Sequence, residues 1–399
     1  MKLSIENDAL QYGAKIIVGC SPMTEDEEFV PRCRVDRVPM RHPGDVSAIS
    51  RLFDEEIVTP ATVAAIIGKT EGNGCVNDFS RPLAVSAVKA LLAERLGCST
   101  DEVARHVALI MSGGTEGGIS PHFLIFSVDQ VSRHHSRSAS LAIGTAFTSD
   151  FRPEEIGRLA QVGATARAVK AAMADAAIDD PADVHLVQIK CPLLTSARIE
   201  EAHQRGATVA TDDTYASMGL SRGASALGVA LALDEIDAGQ VSDQTICRDF
   251  ALWSGRASTS AGIELMRNEI VVMGNSEAWG GDMRIAHSVM QDAIDLEAVQ
   301  STLRMLDMAT NGQLSVTDSD RICAVFAKAE PSRSGAIRGS RHIMWDDSDI
   351  NPTRHARALV GGVVAAAIGR TDLFISGGAE HQGPDGGGPI AIIARKDEA

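Results

Sequence analysis

The sequence predicts an α/β (α+β) protein in which three similar units surround a pseudo-threefold axis. Three observations lead to this prediction. A Ser-x-Gly-x-Glu motif occurs three times, a lysine ends an apolar, strand-like run three times, and a hydroxyl–arginine pair precedes an alanine-rich segment three times. Self-similarity of this kind is typical of a fold built from repeated units, and strands alternating with helices favour sheets covered by helices.

The Ser-x-Gly-x-Glu copies begin at Ser112, Ser260 and Ser376. Each follows a largely apolar run, weaker before Ser260, so each serine is expected where a buried strand meets its loop. Glycine beside such a serine, as at Gly113 and Gly377, lets backbone N–H groups approach a reacting carbonyl. One copy alone indicates a Gly-rich turn, whereas three copies indicate one site built three times.

The lysines that end the strand-like runs are Lys69, Lys190 and Lys328. Lysine is seldom buried at the end of a strand unless it is needed there. The alternative is a lysine whose stem packs on the strand while its amine reaches water. Repetition at the same place in each unit favours a functional role.

The hydroxyl–arginine pairs are Ser80-Arg81, Ser221-Arg222 and Thr353-Arg354. We expect each pair to open a helix, because Ser and Thr are good N-caps. Arginine in the first turn opposes the helix dipole, so its threefold presence points to a functional demand. Surface ion pairing is the alternative role for these arginines.

Composition limits the possible partners. The 399 residues carry a formal net charge of −16 and are 44% hydrophobic, which predicts a soluble protein with a large core. Nucleic acid and anionic membrane are disfavoured because either would need a basic face. Seven cysteines without a C-x-x-C pair, the lack of an apolar run near 18 residues and the lack of a signal peptide lead us to expect a cytoplasmic protein.

We expect an N-terminal extension (residues 1–37) and three repeat units (38–132, 138–283 and 284–399). His134-His135, between the first two units, can bind metal, but no second ligand cluster accompanies it at suitable spacing. The glycine-rich loop near the C-terminus lacks the Lys-Ser/Thr of a phosphate loop, which disfavours nucleotide binding.

Three serines, three lysines and three arginines around one axis would form a compact cationic pocket. A small ring with threefold symmetry and several carbonyl oxygens would suit it, since each arginine can hold an oxygen with its planar fork. Crowded lysines lower one another's pKa, and a deprotonated lysine can take a proton from serine. The predicted chemistry is hydrolysis of a cyclic amide, and the alternative is a binding protein for such a ring.

The repeats sit in segments that resemble the cyanuric acid hydrolase/barbiturase family of ring-opening amidohydrolases. The similar segments are residues 68–79, 111–117, 151–157, 188–194, 221–228, 346–351, 354–357 and 376–389. They cover the chain from about Val38 to its end. The resemblance implies a triangular-prism arrangement of three related domains with a central active site, in agreement with the repeats.

The resemblance also implies residue roles. Lys190 corresponds to the catalytic base and Ser260 to the nucleophile. The substrate-binding set comprises Lys69, Arg81, Ser112, Gly113, Ser221, Arg222, Lys328, Arg354, Ser376 and Gly377. A structural Mg²⁺ or Ca²⁺ would be held by the Glu330 side chain and by the carbonyls of Ala379, Gln382, Pro384 and Gly387. The resemblance implies no organic cofactor and a homotetramer.

Two points stay open at the level of sequence. Cyanuric and barbituric acid are both family substrates, and residues 151–155 and 191–194 are more similar to the cyanuric acid branch. The motif glutamates Glu116, Glu264 and Glu380 either pair with the lysines or only close the turns.

Overall fold

The computed structural model describes residues 28–133, 138–309 and 311–397. Residues 1–27, most of the expected extension, and His134-His135 lie outside these ranges. No helix within them is long and apolar enough to cross a bilayer.

Three four-stranded sheets follow one another along the chain. The first contains β1 (Phe29–Pro39), β2 (Val63–Thr70), β3 (Ala108–Gly113) and β4 (His122–Ser132). The second contains β5 (Ser140–Phe147), β6 (Val184–Pro192), β7 (Ala257–Gly262) and β8 (Glu269–Ser276). The third unit contains β9 (Met283–Met290), β10 (Ile322–Ala329), the hairpin β11 (Ala336–Ile337) and β12 (Ser340–Arg341), then β13 (Phe374–Gly377) and β14 (Gly388–Arg395).

The three sheets share one topology. Their strand orders are β1-β4-β2-β3, β5-β8-β6-β7 and β9-β14-β10-β13. In each sheet one pair is parallel, β2 with β3, β6 with β7 and β10 with β13, and the other pairs are antiparallel. This repetition confirms the predicted fold of three α/β units.

Helices connect and cover the sheets. They are α1 (Ser47–Asp54), α2 (Ser80–Leu96), α3 (Thr100–His106), α4 (Leu159–Asp175), α5 (Ser196–Gln204), α6 (Thr214–Ala232), α7 (Leu296–Met305), α8 (Val316–Arg321) and α9 (Pro352–Ile368). Parallel strands cannot be joined by a tight turn, and α2, α6 and α9 each lie on the crossover between the two parallel strands of a unit.

One of the three hydroxyl–arginine pairs opens its helix as expected, but none of the three hydroxyl residues is the N-cap. Ser80 is the first residue of α2, whose N-cap is Phe79. Ser221-Arg222 lies inside α6, whose N-cap is Asp213, and Thr353-Arg354 lies in the first turn of α9, whose N-cap is Asn351. In these two helices an Asp or Asn side chain accepts the first free backbone N–H groups, so the Ser or Thr is not needed as the cap.

The N-terminal boundary also differs from the prediction. β1 begins at Phe29, inside the expected extension, and pairs with β4 along its whole length. It is an edge strand, which is why it tolerates Pro31. The first unit therefore starts before residue 38.

The units pack in a cycle around a common core. β2 contacts β5, β6 contacts β9 and β10 contacts β1, so each unit meets both others. One apolar cluster contains residues of all three sheets, among them Ile67, Val187 and Phe326. The carboxyl ends of the parallel pairs are thereby directed to one central region.

Candidate active site

The ends of the parallel strands place each predicted lysine beside a predicted serine. Register pairs Lys69 with Ser112, Lys190 with Ser260 and Lys328 with Ser376. The corresponding Nζ–Oγ distances are 3.3, 3.5 and 3.2 Å. Parallel pairing thus brings the two residues together although 43 to 70 positions separate them along the chain.

The lysine amines are buried and also hold backbone carbonyls. Each donates to the carbonyl that follows its serine, at Gly113, Ala261 and Gly377, over 3.3–3.4 Å. Lys190 donates to Met111 O at 2.7 Å and Lys328 to Thr259 O at 2.8 Å. These last bonds cross between units and hold the clusters around one centre.

Burial is the main cause of the lysine pKa shifts. It lowers the pKa of Lys69, Lys190 and Lys328, for Lys328 to about 7. A nearby arginine charge acts in the same direction at each lysine. The expected repulsion among the lysines is a minor contribution, seen at Lys69 from Lys328. All three amines are therefore easier to deprotonate than an exposed lysine.

A small polar cavity lies in front of the serines. It is lined by Gly74, Arg81, Ser112, Gly113, Met218, Arg222, Ser260, Ala261, Arg357, Ser376 and Gly377. Serines from all three units and three arginines therefore face one space. The lysines lie behind the serines, where they can exchange protons with them without touching a ligand.

Four predicted substrate-binding residues do not line this cavity: Lys69 and Lys328, which lie behind their serines, and Arg354 and Ser221. Arg354 has a side chain that is 39% exposed, whereas Arg357, one turn further along α9, is 4% exposed and lines the cavity. Ser221 is turned toward α4, where its hydroxyl accepts a hydrogen bond from Gln161 Nε2 at 2.9 Å. Arg357 is therefore the third arginine that lines the cavity, and Arg354 and Ser221 lie outside it.

The three arginines are held differently. Glu380 holds Arg222 through two hydrogen bonds of 2.6 and 2.8 Å, and Glu116 holds Arg357 in the same two-pronged way. Arg81 instead donates to two backbone carbonyls, Ala261 O at 3.2 Å and Cys75 O at 2.7 Å. Its buried Nε has no acceptor among the described residues.

The three motif glutamates also differ in their partners. Glu116 and Glu380 pair with arginines, whereas Glu264 lies 2.9 Å from Lys190 Nζ. Both alternatives from the sequence therefore fail for Glu116 and Glu380, which bind arginines of a neighbouring unit. For Glu264 the lysine-pairing alternative holds.

Two of the residues expected to hold a metal, Glu330 and Ala379, are in contact next to the third cluster. Glu330 is half-buried and accepts a hydrogen bond from Ala379 N at 3.2 Å. Burial and the charge of Glu380 raise the pKa of Glu330 to about 8. The described residues contain no group of three or more His, Cys, Asp or Glu side chains suited to a metal. A single carboxylate with backbone carbonyls nevertheless fits a hard cation, whose charge would offset that of the two glutamates.

The chain is similar to known proteins over most of its length. Residues 34–395 match the family model described as amidohydrolase ring-opening protein. A cyanuric acid amidohydrolase of Ectopseudomonas oleovorans is 55% identical over 365 residues, covering 91% of this chain and 99% of that protein. One from Enterobacter cloacae is 53% identical over 367 residues, with the same coverage. The crystal structure of the A. caulinodans cyanuric acid hydrolase is 53% identical, with a TM-score of 0.84 over 92% of this chain and 100% of that chain.

Proposed function

Since this chain belongs to the ring-opening amidohydrolase family, we propose that it hydrolyses cyanuric acid to carboxybiuret, which loses CO₂ to give biuret. The observation that carries the proposal is the single cavity faced by a serine and an arginine from each cluster, with a buried lysine behind each serine. The names of the similar proteins support the same substrate.

Symmetry favours cyanuric acid over barbituric acid. A ring with three equivalent carbonyls and three N–H groups can satisfy all three clusters in any of its three rotations. Barbituric acid replaces one ring N–H with carbon, so a site acceptor facing that edge is left unpaired. The cost is about 1–3 kcal/mol, or roughly 10- to 100-fold in selectivity.

In the proposed mechanism Ser260 is the nucleophile and Lys190 the base. As Ser260 Oγ bonds to a ring carbonyl carbon, its proton passes to the Lys190 amine. The ring C–N bond then breaks and the leaving nitrogen takes this proton. Water next attacks the acyl carbon and gives a proton to Lys190, and Ser260 regains a proton as carboxybiuret leaves. The 3.5 Å between Nζ and Oγ is long for this transfer, and such contacts commonly shorten when substrate binds.

The remaining groups position the ring and stabilise charge. Ser112 and Ser376, each with a lysine behind it, can donate to the two ring oxygens that do not react. Arg81 bonds to the carbonyl of Ala261, next to the nucleophile, and its free Nε can stabilise the oxyanion that forms on attack. Arg222 and Arg357, fixed by their glutamates, offer donors to the other oxygens.

The direct test is parallel hydrolysis of cyanuric and barbituric acid by the purified protein. We expect clear preference for cyanuric acid. Preference for barbituric acid, with ureidomalonic acid as product, would overturn the substrate while leaving the Ser-Lys chemistry in place. Tight binding of either ring without any ring opening would instead favour a binding protein.

We also propose a structural Mg²⁺ or Ca²⁺ site at Glu330, with the carbonyls of Ala379, Gln382, Pro384 and Gly387. When bound, the cation would supply positive charge that ties the last loop to β10. The raised pKa of Glu330 supports this proposal, because burial and the charge of Glu380 disfavour its ionised form and a bound cation would favour that form.

The homotetramer and the cytoplasmic location are proposals of the same kind. The first is supported by the family resemblance. The second is supported by the cysteines of the described residues, all of which are free thiols.

A further inference from the structure

The three Lys-Ser clusters have the same members but not the same pairing. Each contains a lysine, a serine, a motif glutamate and an arginine from a neighbouring unit. In two clusters the glutamate binds the arginine, as Glu116 binds Arg357 and Glu380 binds Arg222. In the third, Glu264 binds Lys190 instead, at 2.9 Å. Within the described residues, Lys69 and Lys328 form no ion pair with a carboxylate.

We infer that Glu264 is a positioning residue that makes Lys190–Ser260 the reacting pair, by holding the Lys190 amine and stabilising the ammonium formed when Ser260 gives up its proton. This inference rests on the proposed function. It makes the site a Ser-Lys-Glu arrangement in which the carboxylate orients the base and does not touch the substrate, since Glu264 does not line the cavity.

The environment of Glu264 supports this role. Its side chain is 4% exposed, and neither carboxylate oxygen receives a hydrogen bond of ordinary geometry from the described residues, so the Lys190 ion pair is its main support. A buried carboxylate with so few donors is costly to keep. The pairing has a second effect: because Glu264 binds Lys190 and not Arg81, the Nε of Arg81 has no carboxylate partner next to the nucleophile.

The charges around Lys190 and Glu264 shift the pKa of each group in a direction that can be stated. Burial raises the pKa of Glu264, but the charges of Lys190 and Arg81 outweigh burial and the pKa ends lowered. At Lys190 burial lowers the pKa, Glu264 opposes this, Arg81 adds to it, and the Cys191 thiol opposes it weakly. Arg198 also faces Glu264. Removing the Glu264 charge must therefore lower the pKa of Lys190 further.

The test measures lysine protonation without turnover. Isocyanic acid, the protonated form of cyanate, carbamoylates only the deprotonated amine: the amine nitrogen bonds to its carbon, the C=N double bond becomes single, and one amine proton passes to the other nitrogen to give a urea. The pH midpoint of carbamoylation at Lys69, Lys190 and Lys328 is read from one digest by mass spectrometry, for wild type, Glu264→Gln, Glu264→Asp and the matched variant Glu116→Gln.

We expect Glu264→Gln to lower the carbamoylation midpoint of Lys190 and to leave those of Lys69 and Lys328 unchanged. Glu116→Gln should not change the Lys190 midpoint. Glu264→Asp should give a Lys190 midpoint between those of Glu264→Gln and wild type. With cyanuric acid, Glu264→Gln should lower kcat about 100-fold and move the acid limb of kcat to lower pH, with little change in KM. An unmoved Lys190 midpoint, or an equal shift at all three lysines, would overturn the inference. If Glu264→Gln does not fold, Glu264→Asp decides, because its shorter carboxylate should still lower the Lys190 midpoint, by less than glutamine would, and leave the midpoints of Lys69 and Lys328 in place. Wild type that opens no ring would overturn the proposed function, while the carbamoylation midpoints would still decide this inference.

Discussion

Lys190 and Ser260 meet because two buried strands run in parallel and in register, and their chemistry depends on burial. An amine removed from water holds its proton less firmly, so Lys190 can accept a proton that an exposed lysine could not. The same is true of Lys69 and Lys328, which explains why burial alone does not identify the base.

Replacement of the proposed nucleophile or base should abolish turnover and leave the fold intact. We expect Ser260→Ala and Lys190→Met each to lower kcat by about 10⁴-fold or more, because each removes a group that changes bonds in the reaction and leaves the core volume nearly unchanged. Steady-state kinetics and thermal melting measure the two effects. Ser112→Ala is the matched variant, expected mainly to raise KM, and equal losses of kcat at Ser112 and Ser260 would contradict a unique nucleophile.

The third arginine gives a sharper test of the site. Arg357→Lys should raise KM by roughly 10- to 100-fold, since lysine cannot reproduce a planar fork held at the cavity. Arg354→Lys should have little effect, because Arg354 lies outside the cavity with much of its side chain in solvent. A larger increase in KM for Arg354→Lys than for Arg357→Lys would instead identify Arg354 as the substrate-binding arginine, as the sequence predicted.

Residue repetition predicted the lysines, the serines and two of the arginines. It could not choose between Arg354 and Arg357, because both lie within one turn of α9 and the sequence does not fix the rotation of a helix about its axis. Ser221 misled for a related reason: it neighbours Arg222 in sequence, but adjacent helix positions point in different directions.

At the scale of elements, β1 shows why an edge strand is hard to predict. Its buried residues are Val30, Cys33, Val35 and Val38, and the charged residues between them conceal the pattern. The β1 segment also shares none of the motifs that revealed the other strands. Its place became clear only from its pairing with β4.

Removal of β1 should destabilise the protein. A chain that begins at Val38 loses most of the ladder with β4 and also the apolar contacts that the buried Cys33 and Val35 make in the common core, so we expect a lower melting temperature or insoluble protein. A chain that begins at Glu28 is the control and keeps the whole strand. Equal melting temperatures for the two truncations would show that β1 is dispensable.

The loop after β13 provides a second prediction at this scale. If a cation ties this loop to Glu330, a chelator should lower the melting temperature, and added Mg²⁺ or Ca²⁺ should restore it. Glu330→Gln should lower the melting temperature and lose the response to chelator. A melting temperature that chelator leaves unchanged in wild type would argue against the site.

The whole molecule is a threefold repeat in which the three Lys-Ser clusters differ in their ion pairs. The repeated motifs were enough to predict three α/β units, because each copy marks the same strand end. They could not predict that Glu264 pairs with a lysine whereas Glu380 pairs with an arginine. All three motifs contain the same glutamate, and the partner of each glutamate lies elsewhere in the chain.

The contact between the second and third units should respond to acid. His185 on β6 and His287 on β9 lie with their Nδ1 atoms 2.8 Å apart. Burial lowers their pKa values to about 4 and about 3, so both stay neutral in the folded protein while the unfolded chain takes up protons below about pH 6.5. Their contribution to stability is therefore present above about pH 6.5 and is lost as pH falls toward 4. His287→Gln should make the free energy of unfolding less dependent on pH in this range, as measured by urea unfolding; an unchanged slope would refute it.

The central claim is that one of three similar pairs performs the reaction, and trapping the covalent intermediate tests it most directly. The purified protein is mixed with cyanuric acid, quenched in acid within one turnover, digested and analysed by mass spectrometry. The account predicts an adduct with the mass of one cyanuric acid on the peptide that contains Ser260, absent from Ser260→Ala. An adduct on Ser112 or Ser376 in the wild-type protein would contradict it.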